Sequence, residues 1–76
     1  MATAFVLINT ELGQGTNVEA ALKEINEVKE VYAVYGVYDY IVKLETESMS
    51  ELKDIISFKI RRIENVRSTL TMISIE

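Results

Sequence analysis

One acidic residue of this chain sits in a frame of aromatic rings. In VYAVYGVYDY, residues 31–40, all four tyrosines of the chain surround Gly36 and Asp39. A carboxylate there has two readings. It can bond the backbone of its own turn, as Asp does in many hairpins. Alternatively it is the anion that faces the ammonium of a small zwitterion, whose own carboxylate meets free amides at the Gly36 turn. A second polar pair lies near the C-terminus, where Thr69 and Thr71 stand two apart and so aim two hydroxyls from one face of a strand. Ordinary β-propensity is the plainer account of that pair. The cations Lys59, Arg61, Arg62 and Arg67 read as helix-dipole compensation and surface ion pairs rather than as a phosphate patch.

Little else offers chemistry. The chain has no cysteine and no histidine, which removes disulfides, the usual zinc ligands and the commonest general base. No GxSxG elbow, phosphate-cradling P-loop or D-x-D-x-D-G calcium run occurs. The GQG at Gly13 to Gly15 is too short for a dinucleotide fingerprint and reads as a turn. These absences favour a binding or assembly module over a catalyst.

Size narrows the choice further. Seventy-six residues make one domain, residues 1–76, close to the lower limit for a core that stands alone. A reserve of ~0.1 kcal/mol per residue leaves roughly 8 kcal/mol for a monomer. Yet 49% of the residues are hydrophobic, more than so small a domain hides easily, and with no disulfide or metal the remaining stabiliser is oligomerisation. A net charge of −4 opposes binding to nucleic acid and to anionic lipid surfaces. The longest apolar run, Ala4 to Ile8, is far short of the ~20 residues that span a bilayer and too short for a signal-peptide core, so the chain reads as cytoplasmic.

The elements that must position these residues follow from periodicity. AFVLINT, Ala4 to Thr10, reads as a central strand with apolar residues on both faces. Thr16 and Glu19 then have capping-box spacing, and Val18, Ala21, Leu22, Ile25 and Val28 form one helical stripe. Glu30 to Tyr35 and Tyr38 to Thr46 read as two strands joined by a tight hairpin at Gly36 and Val37. Ser48 and Glu51 repeat the capping signal before a stripe of Leu52, Ile55, Ile56, Ile60 and Ile63. Val66 to Glu76 is a last strand. The resulting βαββαβ order, with right-handed crossovers, implies an α+β ferredoxin-like sandwich: a four-stranded antiparallel sheet, its first and third strands central, with two helices on one face. Phe5, Val6, Leu7 and Ile8 must alternate across that sheet, so its other face is apolar too, and a second subunit's sheet is the simplest cover.

VYAVYGVYDYIVKLETESMSEL, followed after a helix by VRSTLTMISIE, resembles the effector-binding (RAM) module of the Lrp/AsnC family of transcription regulators. The likeness runs from Ala4 to Glu76 and is most specific at the hairpin. It implies dimers that pair sheet to sheet, as in dimeric α+β barrels, and rings of eight or ten subunits. Between dimers it implies a small effector, an amino acid, held by the hairpin and by residues of a neighbouring subunit. By position, Tyr35, Gly36, Val37, Tyr38 and Asp39 match the effector loop, and Thr69 and Thr71 match polar positions of the last strand. Many members have Thr or Ser before the glycine where this chain has Tyr35, whose ring is expected to narrow, reshape or fill the pocket. The chain resembles the form of the module without a helix-turn-helix domain, so its output is expected to pass through a partner, such as a full-length relative or an enzyme. The competing readings are a dimeric α+β barrel enzyme and an assembly subunit without a ligand. The resemblance implies no cofactor and no metal.

Overall fold

The computed structural model describes residues 1–75; Glu76, with which the expected last strand ends, lies outside the described residues. Four strands, β1 (Ala2–Thr10), β2 (Val28–Ala33), β3 (Tyr40–Thr46) and β4 (Val66–Ser74), form one antiparallel sheet in the order β2-β3-β1-β4. Helix α1 (Gly15–Lys23) joins β1 to β2, and α2 (Met49–Ile55) follows β3. This is the expected ferredoxin-like βαββαβ sandwich.

Alternation fixes the two faces. Ala2, Ala4, Val6 and Ile8 of β1 are buried beside Tyr40, Val42, Leu44 and Thr46 of β3. Val18 and Leu22 of α1 and Leu52, Ile55, Ile56 and Ile60 from the second helical segment complete that core. Among the described residues Thr46 is the one buried polar residue, and its hydroxyl donates to the Ser48 carbonyl at 2.6 Å. Eight valine, leucine and isoleucine side chains are fully out of solvent, and each contributes about 1.5–3 kcal/mol relative to exposure. The opposite face has no such cover. There Leu7 pairs with Ile41 on one side and Leu70 on the other, Phe5 with Met72, and Tyr32 with Ile41. Tyr32, Leu70 and Met72 of this face remain about half exposed, at 50%, 48% and 51%.

The two helices start differently. At α2 the expected N-cap forms, in the Ser48 half of the box: Ser48 Oγ accepts from the Glu51 amide at 3.2 Å. At α1 it does not: the helix begins one residue before Thr16, with Gln14 at its N-cap and no side-chain bond to the first turn. Glu19, the expected partner, is engaged by Lys23 at 2.9 Å and by the Tyr40 hydroxyl at 3.2 Å. Gly15 is the first helical residue rather than a turn, and a Cβ there would stand 3.1 Å from the Tyr40 hydroxyl. Tertiary contact with Tyr40 thus outweighs the local capping preference.

The second helix also departs from regularity. After Ile55 it widens into a π-helical turn, Ile56–Ile60, in which the Arg61 amide reaches five residues back to the Ile56 carbonyl at 3.1 Å. Each residue of a π turn advances less around the axis than in an α-helix. The wider turn therefore swings Ile60 onto the stripe begun by Leu52 and Ile56 and carries Lys59 off it, where its ammonium lies 3.7 Å from Glu27. Among the described residues, no helix is long and apolar enough to cross a membrane.

Candidate functional site

The link between β2 and β3 is longer than the expected tight hairpin. β2 ends at Ala33 and β3 begins at Tyr40, so residues 34–39 form a loop at the end of the sheet where β1 stops. Gly36 has a φ of 150°, a region that side chains with a Cβ rarely enter, and open space surrounds it. Tyr35 and Val37 are fully or largely exposed, whereas Tyr38 and Asp39 are half-buried.

Asp39 locks this loop to the neighbouring strand. Its amide donates to the Ile8 carbonyl at 2.9 Å, and its carbonyl accepts from the Val34 amide at 2.9 Å. Its carboxylate takes the Thr10 amide at 2.8 Å and the Thr10 hydroxyl at 3.3 Å, both on Oδ2. The side chain therefore bonds the end of β1 rather than its own turn. Oδ1 takes part in neither bond.

A cleft of about 300 Å³ opens beside it, lined by Asn9, Thr10, Glu11, Leu12, Gly13, Asp39 and Arg67. Two irregularities build its far wall. The pairing of β1 with β4 slips between Asn9 and Thr10, which face Ser68 and Val66, so Arg67 is bulged out of register. A bulge re-aims the side chain it carries. Asn65, at a φ of 76°, then gives its carbonyl to the Glu11 amide at 2.8 Å, holding the loop after β1 against the start of β4. Arg67 forms no ion pair with any described residue. The cleft is thus lined by the strand-bound carboxylate of Asp39, by Glu11, and by Arg67, which has no ion-pair partner among the described residues.

Tyr40 stands behind this end of the sheet. Burial, then its bond to Glu19, pushes its phenol above the usual tyrosine range, while Lys23 and then Tyr40 hold the Glu19 carboxyl below the usual carboxylate range.

Thr69 and Thr71 do share a face, but it is not the face of the Asp39 cleft. They pair with Ile8 and Val6, so they point toward the helices. Thr71 lines a separate cleft of about 220 Å³ between α2, its π turn and β4, with Lys53, Ile56, Ser57, Arg61 and Ile73. The two clefts have no lining residue in common. Another cleft, of about 420 Å³, lies at the opposite end of the sheet among Met1, Thr3, Glu47 and Ile75 and holds none of the expected site residues.

Sequence reasoning passed over Asn9, Thr10 and Arg67 beside Asp39, because nothing local signals a register slip. The walls of the Thr71 cleft were more legible: Lys53, Ser57 and Arg61 recur every fourth residue, which puts them on one side of a helix. Ser50 and Lys53 also have S-x-x-K spacing, but both are exposed and no bond joins them, so they are not set up as nucleophile and base. No group of three or more acidic residues capable of holding a metal occurs among the described residues.

A family model described as the Lrp/AsnC ligand binding domain matches residues 3–76. Among solved structures, that of FFRP-DM1 is 45% identical, with a TM-score of 0.95 over 99% of this chain and 100% of the other. A hypothetical protein PHS023 from Pyrococcus horikoshii is also 45% identical, with a TM-score of 0.93 over 100% of this chain and 92% of the other. A feast or famine regulatory protein from M. tuberculosis, solved in complex with L-methionine, is 31% identical with a TM-score of 0.83, over 100% of this chain but 51% of the other. No protein with a curated description matches the chain.

Proposed function

This chain belongs to the Lrp/AsnC ligand binding domain family, and from that premise we propose that it is a non-catalytic module that binds a small zwitterionic effector of the amino-acid class. The observation that carries this reading is the presence of Asp39 and Arg67 in the lining of one cleft. An ammonium group would meet the free Oδ1 of Asp39, and a carboxylate would meet Arg67 or the open backbone at Gly36. Opposite charges on one cleft recognise a zwitterion and disfavour simple anions or cations. The relative solved with L-methionine supports the same ligand class. Tyr35 is outside the cleft lining, so its ring does not occupy this space in the isolated subunit.

The uncovered face of the sheet, centred on Leu7, Ile41 and Leu70, pairs with the same face of a second copy. Dimers then close into a ring of eight or ten subunits. Asp39 and Thr71 open into different clefts, so an effector that uses both sits between subunits, with the 34–39 loop from one and the β4 cleft from its neighbour. Ligand capture at that boundary shifts the balance between assemblies by its differential affinity for them. The output passes to a partner, such as a full-length relative that joins the ring.

Calorimetry against the twenty amino acids tests the reading. Asp39→Asn keeps an acceptor for the Thr10 amide but removes the charge, so it should weaken binding at least tenfold while the protein stays folded by circular dichroism. Affinity equal to that of the unaltered protein would remove Asp39 from the site, and no binding by any amino acid would remove the effector role.

A further inference from the structure

The cleft beside Thr71 has a chemistry of its own. Its floor is apolar, formed by Ile56 and Ile73, and its rim carries Lys53 and Arg61 with the Ser57 hydroxyl between them in sequence. No carboxylate lines it. That is unusual for a chain with twelve acidic residues against eight basic ones.

The cations around it are also unspent. Lys23, Lys43 and Lys59 are each within 4 Å of a glutamate, and Arg62 lies over the Phe58 ring with its guanidinium 5.5 Å from the centroid. Lys53 and Arg61 have no ion-pair partner among the described residues. Thr71 adds an independent sign. Its Oγ1 is shut off from solvent and bonds to nothing among the described residues. A buried hydroxyl without a partner calls for an explanation, and a rotation about its Cα–Cβ bond exchanges the oxygen with the methyl group at the cleft wall.

We propose that this cleft holds a carboxylate, and therefore that the effector carries an acidic side chain. The inference rests on the amino-acid reading given above. The guanidinium of Arg61 can take both oxygens of a carboxylate in parallel. Lys53 adds a second positive charge, and Ser57 and Thr71 supply hydroxyl donors to the remaining lone pairs. The methylene groups of the ligand's side chain rest on Ile56 and Ile73. A neutral side chain of the same shape would offer the two cations no counter-charge, so the site favours the acid over its isostere.

The test is calorimetric titration with matched pairs, L-glutamate against L-glutamine and L-aspartate against L-asparagine, together with L-methionine and glutarate. The acidic member of a pair should bind at least tenfold more tightly than its amide. Arg61→Gln should erase that preference, and Lys53→Gln should reduce it, with both variants still folded and assembled by sedimentation. Thr71→Val, close in shape, should weaken the acidic ligand alone.

Equal affinity for L-glutamate and L-glutamine, or tighter binding of L-methionine, overturns the acidic specificity and leaves the amino-acid reading standing. If only glutarate binds, and its affinity depends on Arg61, the carboxylate cleft stands and the amino-acid reading falls. If no probe binds, the acidic specificity falls, and the amino-acid reading falls with it only when the rest of the twenty amino acids also fail to bind.

Discussion

The two faces of the sheet are built from alternate residues of the same strands, yet they have opposite fates. Val6 is fully buried under the helices, while its neighbour Leu7 points to a face that no helix covers. Hydrophobicity does not separate them, since both faces of β1 are apolar at their centre. What separates them is coverage: the chain has two helices and both pack on one side. The covered face closes a single-chain core, and the open face is the surface through which we propose a second copy completes the structure.

The most severe way to break this contrast is to charge each face in turn. Val6→Asp buries an unpaired carboxylate among Ile8, Val42 and Leu22 and should cost about 4 kcal/mol or more, a large share of the stability expected at this size. Urea denaturation followed by circular dichroism should find it largely unfolded. Leu7→Asp should leave the secondary structure intact and raise the dimer dissociation constant about thirtyfold or more, the effect of losing a central interface contact of ~2 kcal/mol. Sedimentation velocity decides, and an unchanged oligomer in Leu7→Asp would mean that the open face is not the contact.

A subtler contrast concerns the helices that do the covering. Removing the Ser48 hydroxyl in Ser48→Ala should cost about 1 kcal/mol, because it caps the Glu51 amide. Thr16→Ala should be close to neutral, because Thr16 is already inside α1 and caps nothing. Equal losses in the two variants, read from urea midpoints, would mean that the α1 capping box forms in solution.

The smallest effect lies in alkali and compares a tyrosine on each face. Tyr40, on the covered side, has its phenol raised chiefly by burial, whereas Tyr32, on the open side, is raised first by its hydrogen bond to Glu30. A raised folded-state value means that the neutral phenol is favoured in the fold. That stability is complete below about pH 10 and is lost as pH climbs through the folded-state value. Tyr40→Phe should therefore flatten the fall in urea midpoint above pH 10. Tyr32→Phe should change it less, since an exposed group is screened by solvent.

Much of this was legible along the chain. Two helical stripes separated by strand-like runs gave the order of elements, and the βαββαβ order with its handedness rule put β1 and β3 at the centre. Ser48 and Glu51 announced the second helix correctly because nothing in the tertiary structure competes for them. Thr16 and Glu19 carried the same signal and misled, because Glu19 is drawn to Lys23 and Tyr40 instead. The tight hairpin was misjudged for a related reason: Val34, Tyr35, Tyr38 and Asp39 have strand-forming neighbours, but Asp39 is held by β1 through its amide and carboxylate as well as by Val34.

The sequence by itself determined the class of fold, the apolar character of both sheet faces, and the residues worth watching, Asp39 above all. It could do so because periodicity, capping and composition act over short stretches of chain. Only the tertiary structure decided that Asp39 clamps Thr10, that a register slip presents Arg67 to the same cleft, and that Thr71 belongs to another cleft walled by Lys53 and Arg61. Those facts depend on residues far apart in sequence meeting across strands, and no local pattern encodes which backbone amide a distant carboxylate will reach.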